Sequence, residues 1–270
     1  MRNPRARQPE TASLIAMRRL LPIGFGDELT VVDHLEELRL RLLVCGGAFG
    51  VALALCFWQN HLLLRLVDAP LEGRRPVTFG VAEPFTATLT VAAYAAVAIT
   101  LPVLLYQLYA YVLPAFTPAE RRVARPVLVT IPVLFCAGVC FGYFIVLPTA
   151  LRFLLHFNQH QFNLQIRARD WYSFFGITVL ASGLVFQVPV AILVAVRLGL
   201  TTPQQLRAKR RHAIAACALI AAVLPGVDPI SMLLEMIPLI ALYELSILIA
   251  TALPGRASTA ANPAKNTARA

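Results

Sequence analysis

Apolar residues in this chain come in runs that approach the roughly 20 residues an α-helix needs to cross the hydrocarbon core of a bilayer. Six such runs are evident: Leu42 to Trp58, Thr88 to Leu113, Pro126 to Ala150, Trp171 to Val196, His212 to Leu224 and Pro229 to Leu253. The fifth is short, and by length alone it fits a re-entrant or buried segment as well as a crossing. Between the fifth and sixth runs, Pro225-Gly226-Val227-Asp228-Pro229 predicts a tight outer turn, because each proline removes an amide donor and restricts the residue before it. Ahead of the first run, Val31, Leu35, Leu38 and Leu42 keep the spacing of one helical face and predict an amphipathic helix entering the membrane. Asp33 is its expected N-cap, with Glu36 three residues on, and Glu37 precedes Arg41 by the four residues that favour an ion pair. The pattern as a whole predicts an all-α polytopic membrane protein with six transmembrane helices.

Composition supports the same class. Hydrophobic residues make up 58% of the 270 and charged residues only 14%, with a mean hydropathy of +0.69. A soluble domain needs about 25% charged residues to cover itself, so soluble enzymes and nucleic-acid readers are excluded. The net charge of +10 then reports orientation, since cytoplasmic loops keep Lys and Arg. The segment before the first run, the second and fourth loops and the tail hold 18 of the 24 basic residues, and the alternate loops hold 6. Both termini are therefore expected in the cytoplasm, which requires an even number of crossings and supports counting the fifth. Residues 1–29 and 254–270 read as basic disordered flanks that touch anionic lipid headgroups, with a membrane domain over 30–253. The N-terminus lacks the form of a cleaved signal peptide. Arg18-Arg19 is followed only by a short apolar patch broken by Pro22 and Gly24, so it is not read as an export signal of this chain. Of the five cysteines, the close pair Cys136 and Cys140 reads as small apolar packers.

Candidate chemistry sits at the helix ends. Thr117-Pro118-Ala119-Glu120 resembles a helix start with proline in its first turn and Glu120 near the positive end of the dipole. Glu37 and Glu120 both fall on the cytoplasmic side, where two carboxylates suit a paired-arginine ligand, because the guanidinium fork matches a carboxylate in two-pronged fashion. Within the runs, Gln187 and Glu244 are costly polar residues. Gln187 suits an interhelical hydrogen bond. Glu235 and Glu244 are expected near opposite ends of the last helix, within reach of water, and Asp228 sits at the outer turn. No Gly-x-Ser-x-Gly, His-Glu-x-x-His or phosphate-binding loop is present, which speaks against an enzyme and against nucleotide use. His156 and His160 share a helical spacing, but an interfacial loop face is the preferred reading over a metal site. A small secondary transporter or channel is the alternative function; it would need polar groups lining a midplane path, and Gln187 is the one clear mid-span candidate.

The ordered series resembles the TatC family, the polytopic receptor subunit of the twin-arginine protein translocase. It comprises His34 to Arg41, Ala69-Pro70-Leu71, Glu83-Pro84-Phe85, Tyr106-Gln107 through Pro114 to Glu120-Arg121-Arg122, Phe186-Gln187-Val188-Pro189, Asp228-Pro229-Ile230-Ser231, and Leu242-Tyr243-Glu244. The resemblance implies a glove-like bundle of six helices in the cell inner membrane, both termini cytoplasmic. It implies no cofactor and no catalytic residue, but a receptor for twin-arginine signal peptides of folded precursors, driven by the proton-motive force. Signal-peptide binding falls on Glu37 and Glu120, flanked by Arg39, Arg121 and Arg122, while Pro70, Gln187, Asp228 and Glu244 match structural or membrane-embedded positions. The implied partners are single-span subunits of the TatA and TatB type, with self-association. Gln187 stands where many members carry glutamate, so a hydrogen-bonding role is expected there in place of a charged one. Leu224 and Met232 stand where some members carry a polar cluster, so partner contacts there are expected to rest on packing.

Overall fold

The computed structural model describes residues 31–112, 118–157, 161, 165–223 and 229–252. The basic flanks 1–29 and 254–270, as well as Asp228 and His160, lie outside the described residues. In chain order the elements are α1 (Val31–Trp58), α2 (Asn60–Asp68), a 3-10 turn (Ala69–Leu71), α3 (Glu83–Val112), α4 (Pro118–Phe141), a wide π-type turn (Gly142–Val146), α5 (Leu147–His156), α6 (Ala168–Val185), α7 (Val188–Arg197), α8 (Pro203–Ala208), α9 (Arg210–Val223) and α10 (Pro229–Ala252). Among the described residues the one β pairing is a single bridge between Val77 and Arg167.

The amphipathic helix and the first apolar run are one continuous helix, α1. It starts at Val31, so Asp33 stands inside it and is not the flanking N-cap the sequence suggested. The chain divides into two compact units at Leu42 and Leu43. The first contains only the opening turns of α1 among described residues; the second holds everything that follows.

Among the described residues, five helices are long and apolar enough to cross a membrane: Leu35–Trp58, Glu83–Val112, Val129–His156, Ala168–Arg197 and Pro229–Thr251. Two are interrupted, and proline explains both. Pro148 cannot donate to the Phe144 carbonyl four residues back, and the π-type turn over Gly142–Val146 takes up the mismatch. Pro189 cannot donate to the Val185 carbonyl, and α6 ends at that residue. The fifth predicted run appears as α9, whose 14 residues reach only about 21 Å. The chain is thus an all-helical polytopic membrane protein with five candidate spans.

Apolar side chains such as Val129, Leu219 and Leu248 remain 59 to 68% exposed. That surface suits lipid and would aggregate in water. Cys136 and Cys140 are exposed as well, so they are not the interior packers the sequence suggested. Inside, the main core joins Val67 and Leu71 to Ala87 and Val91 of α3, Leu147 and Leu151 of α5, and Trp171, Tyr172 and Val179 of α6. Helices α4 and α6 approach through glycine. A Cβ on Gly138 would lie 2.6 Å from the Ser182 carbonyl oxygen and 2.8 Å from the Gly183 Cα, so the two backbones meet with no side chain between them. Gly176 lets the ring of Tyr94 lie against α6 in the same way.

Candidate functional site

The acidic residues expected at the cytoplasmic face sit on helix ends. In the first unit, Glu37 lies on α1 with its side chain 14% exposed, and Arg41 one turn on brings Nε to 3.0 Å and Nη2 to 2.6 Å of its Oε1. The four-residue spacing therefore produces the predicted pair, preorganising a carboxylate beside a guanidinium. Arg39 is exposed. In the second unit, Glu120, Arg121 and Arg122 lie on α4, which is described from Pro118 onward; their side chains lie outside the described residues.

Gln187 occupies the short break between α6 and α7. It is 7% exposed, and its Nε2 donates to the Ile131 carbonyl of α4 at 3.1 Å. That is the interhelical hydrogen bond expected of it. Its Oε1 has no hydrogen-bond partner among the described residues. The side chain lines an apolar groove of about 360 Å³ between α3, α4 and α7, walled by Leu105, Leu108, Tyr109, Val190 and Val194 among others. The surrounding prolines make this possible: the helix break before Pro189 leaves room for a side chain to turn onto a neighbouring helix.

Glu244 lies on α10. It accepts from Arg210 Nη2 at 2.7 Å, and both side chains are over a third exposed. One residue before it, the Tyr243 hydroxyl donates to the Leu206 carbonyl at 2.8 Å, tying α10 to α8. The start of α8 is fixed by a capping box, in which Gln205 N donates to the Thr202 hydroxyl while the Gln205 side chain accepts from Thr202 N. Glu235 differs from expectation: at 5% exposure it does not reach water, and it borders a cavity of about 10 Å³, the size of a single water, beside Ser182 and Phe186.

At the opposite helix ends, Pro70 lies in the 3-10 turn that sends Leu71 into the core at 1% exposure. Here the structure holds a contact that sequence reasoning missed. Glu83, 7% exposed at the start of α3, accepts from Arg167 Nε at 2.7 Å and from the Phe79 and Gly80 amides at 2.8 and 3.2 Å. The carboxylate holds the Arg167 guanidinium above its ordinary value by direct hydrogen bonding. Alongside, Val77 N donates to the Ile166 carbonyl and Ala168 N to that of Val77, closing the bridge. The motif Glu83-Pro84-Phe85 was the only signal, and it did not name the partner 84 residues away.

Comparison with known proteins places this arrangement. Residues 33–238 match the family described as Sec-independent protein translocase protein (TatC). The chain is 34% identical over 219 residues to the chloroplastic TATC protein of Arabidopsis thaliana, covering 80% of this chain and 64% of that one, so it spans just under two thirds of the chloroplast relative. It is 33% identical over 227 residues to TatC of Escherichia coli strain K12, covering 82% and 88%. A crystal structure of the twin arginine translocase receptor TatC in DDM is similar to it with a TM-score of 0.71 and 31% identity, covering 80% of this chain and 99% of that one. With three quarters of its length in the family match and the helical order shared with a solved member, the chain belongs to the TatC family.

Proposed function

We propose that the chain is the receptor subunit of a Sec-independent, twin-arginine translocase. The observation that carries this reading is the fold shared, over nearly the whole solved chain, with a structure described as a twin arginine translocase receptor. In this reading α9 is the sixth crossing, short and paired with α10, and both termini lie in the cytoplasm. The lopsided distribution of basic residues supports that topology, because an odd number of crossings would leave one of the Arg-rich ends on the depleted side.

Glu37 on α1 and Glu120 on α4 are each an acceptor for an arginine of the signal peptide. Arg41 already holds Glu37 through one oxygen, and this orients the carboxylate for an incoming guanidinium. Arg39, Arg121 and Arg122 flank these positions and set the register of the peptide. The apolar stretch of the signal peptide or of a single-span TatA- or TatB-type partner lies along lipid-facing helix surfaces such as the α3–α7 groove, where Gln187 Oε1 offers one acceptor in apolar surroundings. Binding is charge-assisted at the rim and weakens with salt. The site is that of a receptor, without catalytic residues; transport draws on the proton-motive force, and the protein works as a multi-pass protein of the cell inner membrane, self-associating within the complex.

Photo-crosslinking in inverted membrane vesicles tests the site. A probe beside Glu120 is expected to capture a precursor with a twin-arginine motif and not one with twin lysines, and Glu37→Ala or Glu120→Ala lowers the yield. Equal capture of both precursors by an inserted, folded chain would remove the site assignment.

A further inference from the structure

Helix α2 and the turn behind it carry charge that the receptor reading leaves unused. Six basic residues lie in the segments poor in positive charge, and three of them, Arg65, Arg74 and Arg75, border one recess of about 510 Å³ together with His61. The backbone builds this convergence. After the 3-10 turn, Glu72 with φ 51° and Gly73 with φ 90° reverse the chain, so that Arg74 and Arg75 share the recess with Arg65 of the preceding helix.

Among the described residues, no carboxylate lies within ion-pair distance of the three guanidiniums, although Glu83, Glu37 and Glu244 each hold one elsewhere. Asp68 stands on the recess wall, but it accepts from the Tyr172 hydroxyl at 3.5 Å instead. Glu72 is exposed beside the turn and does not line the recess. Three cations gathered around a cavity repel one another until an anion enters. The setting is a lipid interface: Trp58 at the end of α1 is 82% exposed, and Leu62 and Leu66 show 57 and 50% on one face of α2, one turn apart. Such a helix lies with its apolar face in the headgroup layer and its basic residues at phosphate level.

We propose that this recess binds the phosphate of an anionic phospholipid headgroup, in the outer leaflet if the topology proposed above holds. The guanidinium fork fits two phosphate oxygens at once, and His61 adds a further donor. Free inorganic phosphate offers the same oxygens, but only a lipid also covers Trp58, Leu62 and Leu66.

Native mass spectrometry of the full chain in detergent tests this, with phosphatidylglycerol, phosphatidylcholine and inorganic phosphate as separate probes. The wild type is expected to retain one phosphatidylglycerol in preference to phosphatidylcholine. The double change Arg74→Gln and Arg75→Gln weakens that retention roughly tenfold, the scale of one or two charge-assisted contacts. Asp68→Asn strengthens it, because a carboxylate leaves the wall. Melting without lipid checks that each variant is folded, and Arg65→Gln alone serves if the double variant is not. Equal retention by the wild type and the recess variants overturns the proposal, and so does displacement of the lipid by inorganic phosphate at comparable concentration. No precursor takes part, so this result stands apart from the fate of the receptor reading.

Discussion

Substituting Gly138 by alanine adds one methyl group where α4 and α6 meet backbone to backbone. The new Cβ would lie 2.6 Å from the Ser182 carbonyl oxygen, 2.8 Å from the Gly183 Cα and 2.9 Å from the Phe186 Cβ, where ordinary contact starts at 3.4 Å. Two of these neighbours are backbone atoms, which have no rotamer through which to withdraw, so α4 and α6 must separate by up to about 0.8 Å locally. Overpacking of this kind costs about 1–3 kcal/mol. Alanine recovers part of that through its helix propensity, up to about 1 kcal/mol over glycine. A net loss of about 1–2 kcal/mol corresponds to roughly 2–8 °C for a chain of this size. Gly47→Ala is the control, because nothing lies within 4 Å of its added Cβ. Both variants are purified in the same detergent and melted at one scan rate, since unfolding of a membrane protein is rarely reversible. The expected order is Gly138→Ala well below wild type and Gly47→Ala at or slightly above it. A Gly138→Ala protein that melts with the wild type would refute the claim that bare backbone contact sets the spacing of α4 and α6.

Other expectations follow from single contacts. Gln187→Leu removes the bond to the Ile131 carbonyl and lowers stability by about 0.6 kcal/mol, read as a small fall in melting temperature; a larger loss would mean Gln187 anchors more than this bond. Glu83→Gln weakens the acceptor shared by Arg167, Phe79 and Gly80, and hydrogen exchange at the Val77 and Ala168 amides should speed up while that of α4 does not. Arg210→Ala breaks an ion pair that is 51 and 38% exposed, so its effect on melting stays under about 1 kcal/mol. Burial pushes the Asp68 carboxyl up, against the opposing pull of Trp171 and then Tyr172. Its folded state therefore holds the proton more tightly than the unfolded chain, so its contribution to stability is present at low pH and is lost as pH rises through the raised value. Between pH 4 and 7 the melting temperature of the Asp68→Asn variant should depend less on pH than that of the wild type.

What could be read from the residues alone was local. Spans emerge because crossing a bilayer demands a length of apolar residues whatever the tertiary packing, and the first, second and last predicted runs match α1, α3 and α10 within a few residues at most of their ends. The Glu37–Arg41 pair was legible for the same reason, since it is decided within one helical turn. Contacts set by the third dimension were not. Glu83 finds Arg167 across 84 residues, and nothing at either position names the other. The π-type turn at Gly142–Val146 follows from Pro148, but a proline inside an apolar run signals only that some adjustment occurs, not which one. Glu235 looked like a residue within reach of water because it lies near a helix end, yet the packing of α10 around Pro238 and Leu239 puts it against Ser182 and Phe186.

The glycine seam between α4 and α6 also has a mechanical side. Where the backbones touch at Gly138 there is no side chain to yield, so this pair is expected to move as one stiff element. The seam joining α6, α7, α9 and α10 is lined instead by Met232, Met236 and Ile240 against Val185 and Val188. Thioether side chains with three rotatable bonds can repack at low cost. Compliance within this protein is therefore unevenly shared: a load applied to the bundle is borne by the glycine-joined helices and relaxed along the methionine-lined ones.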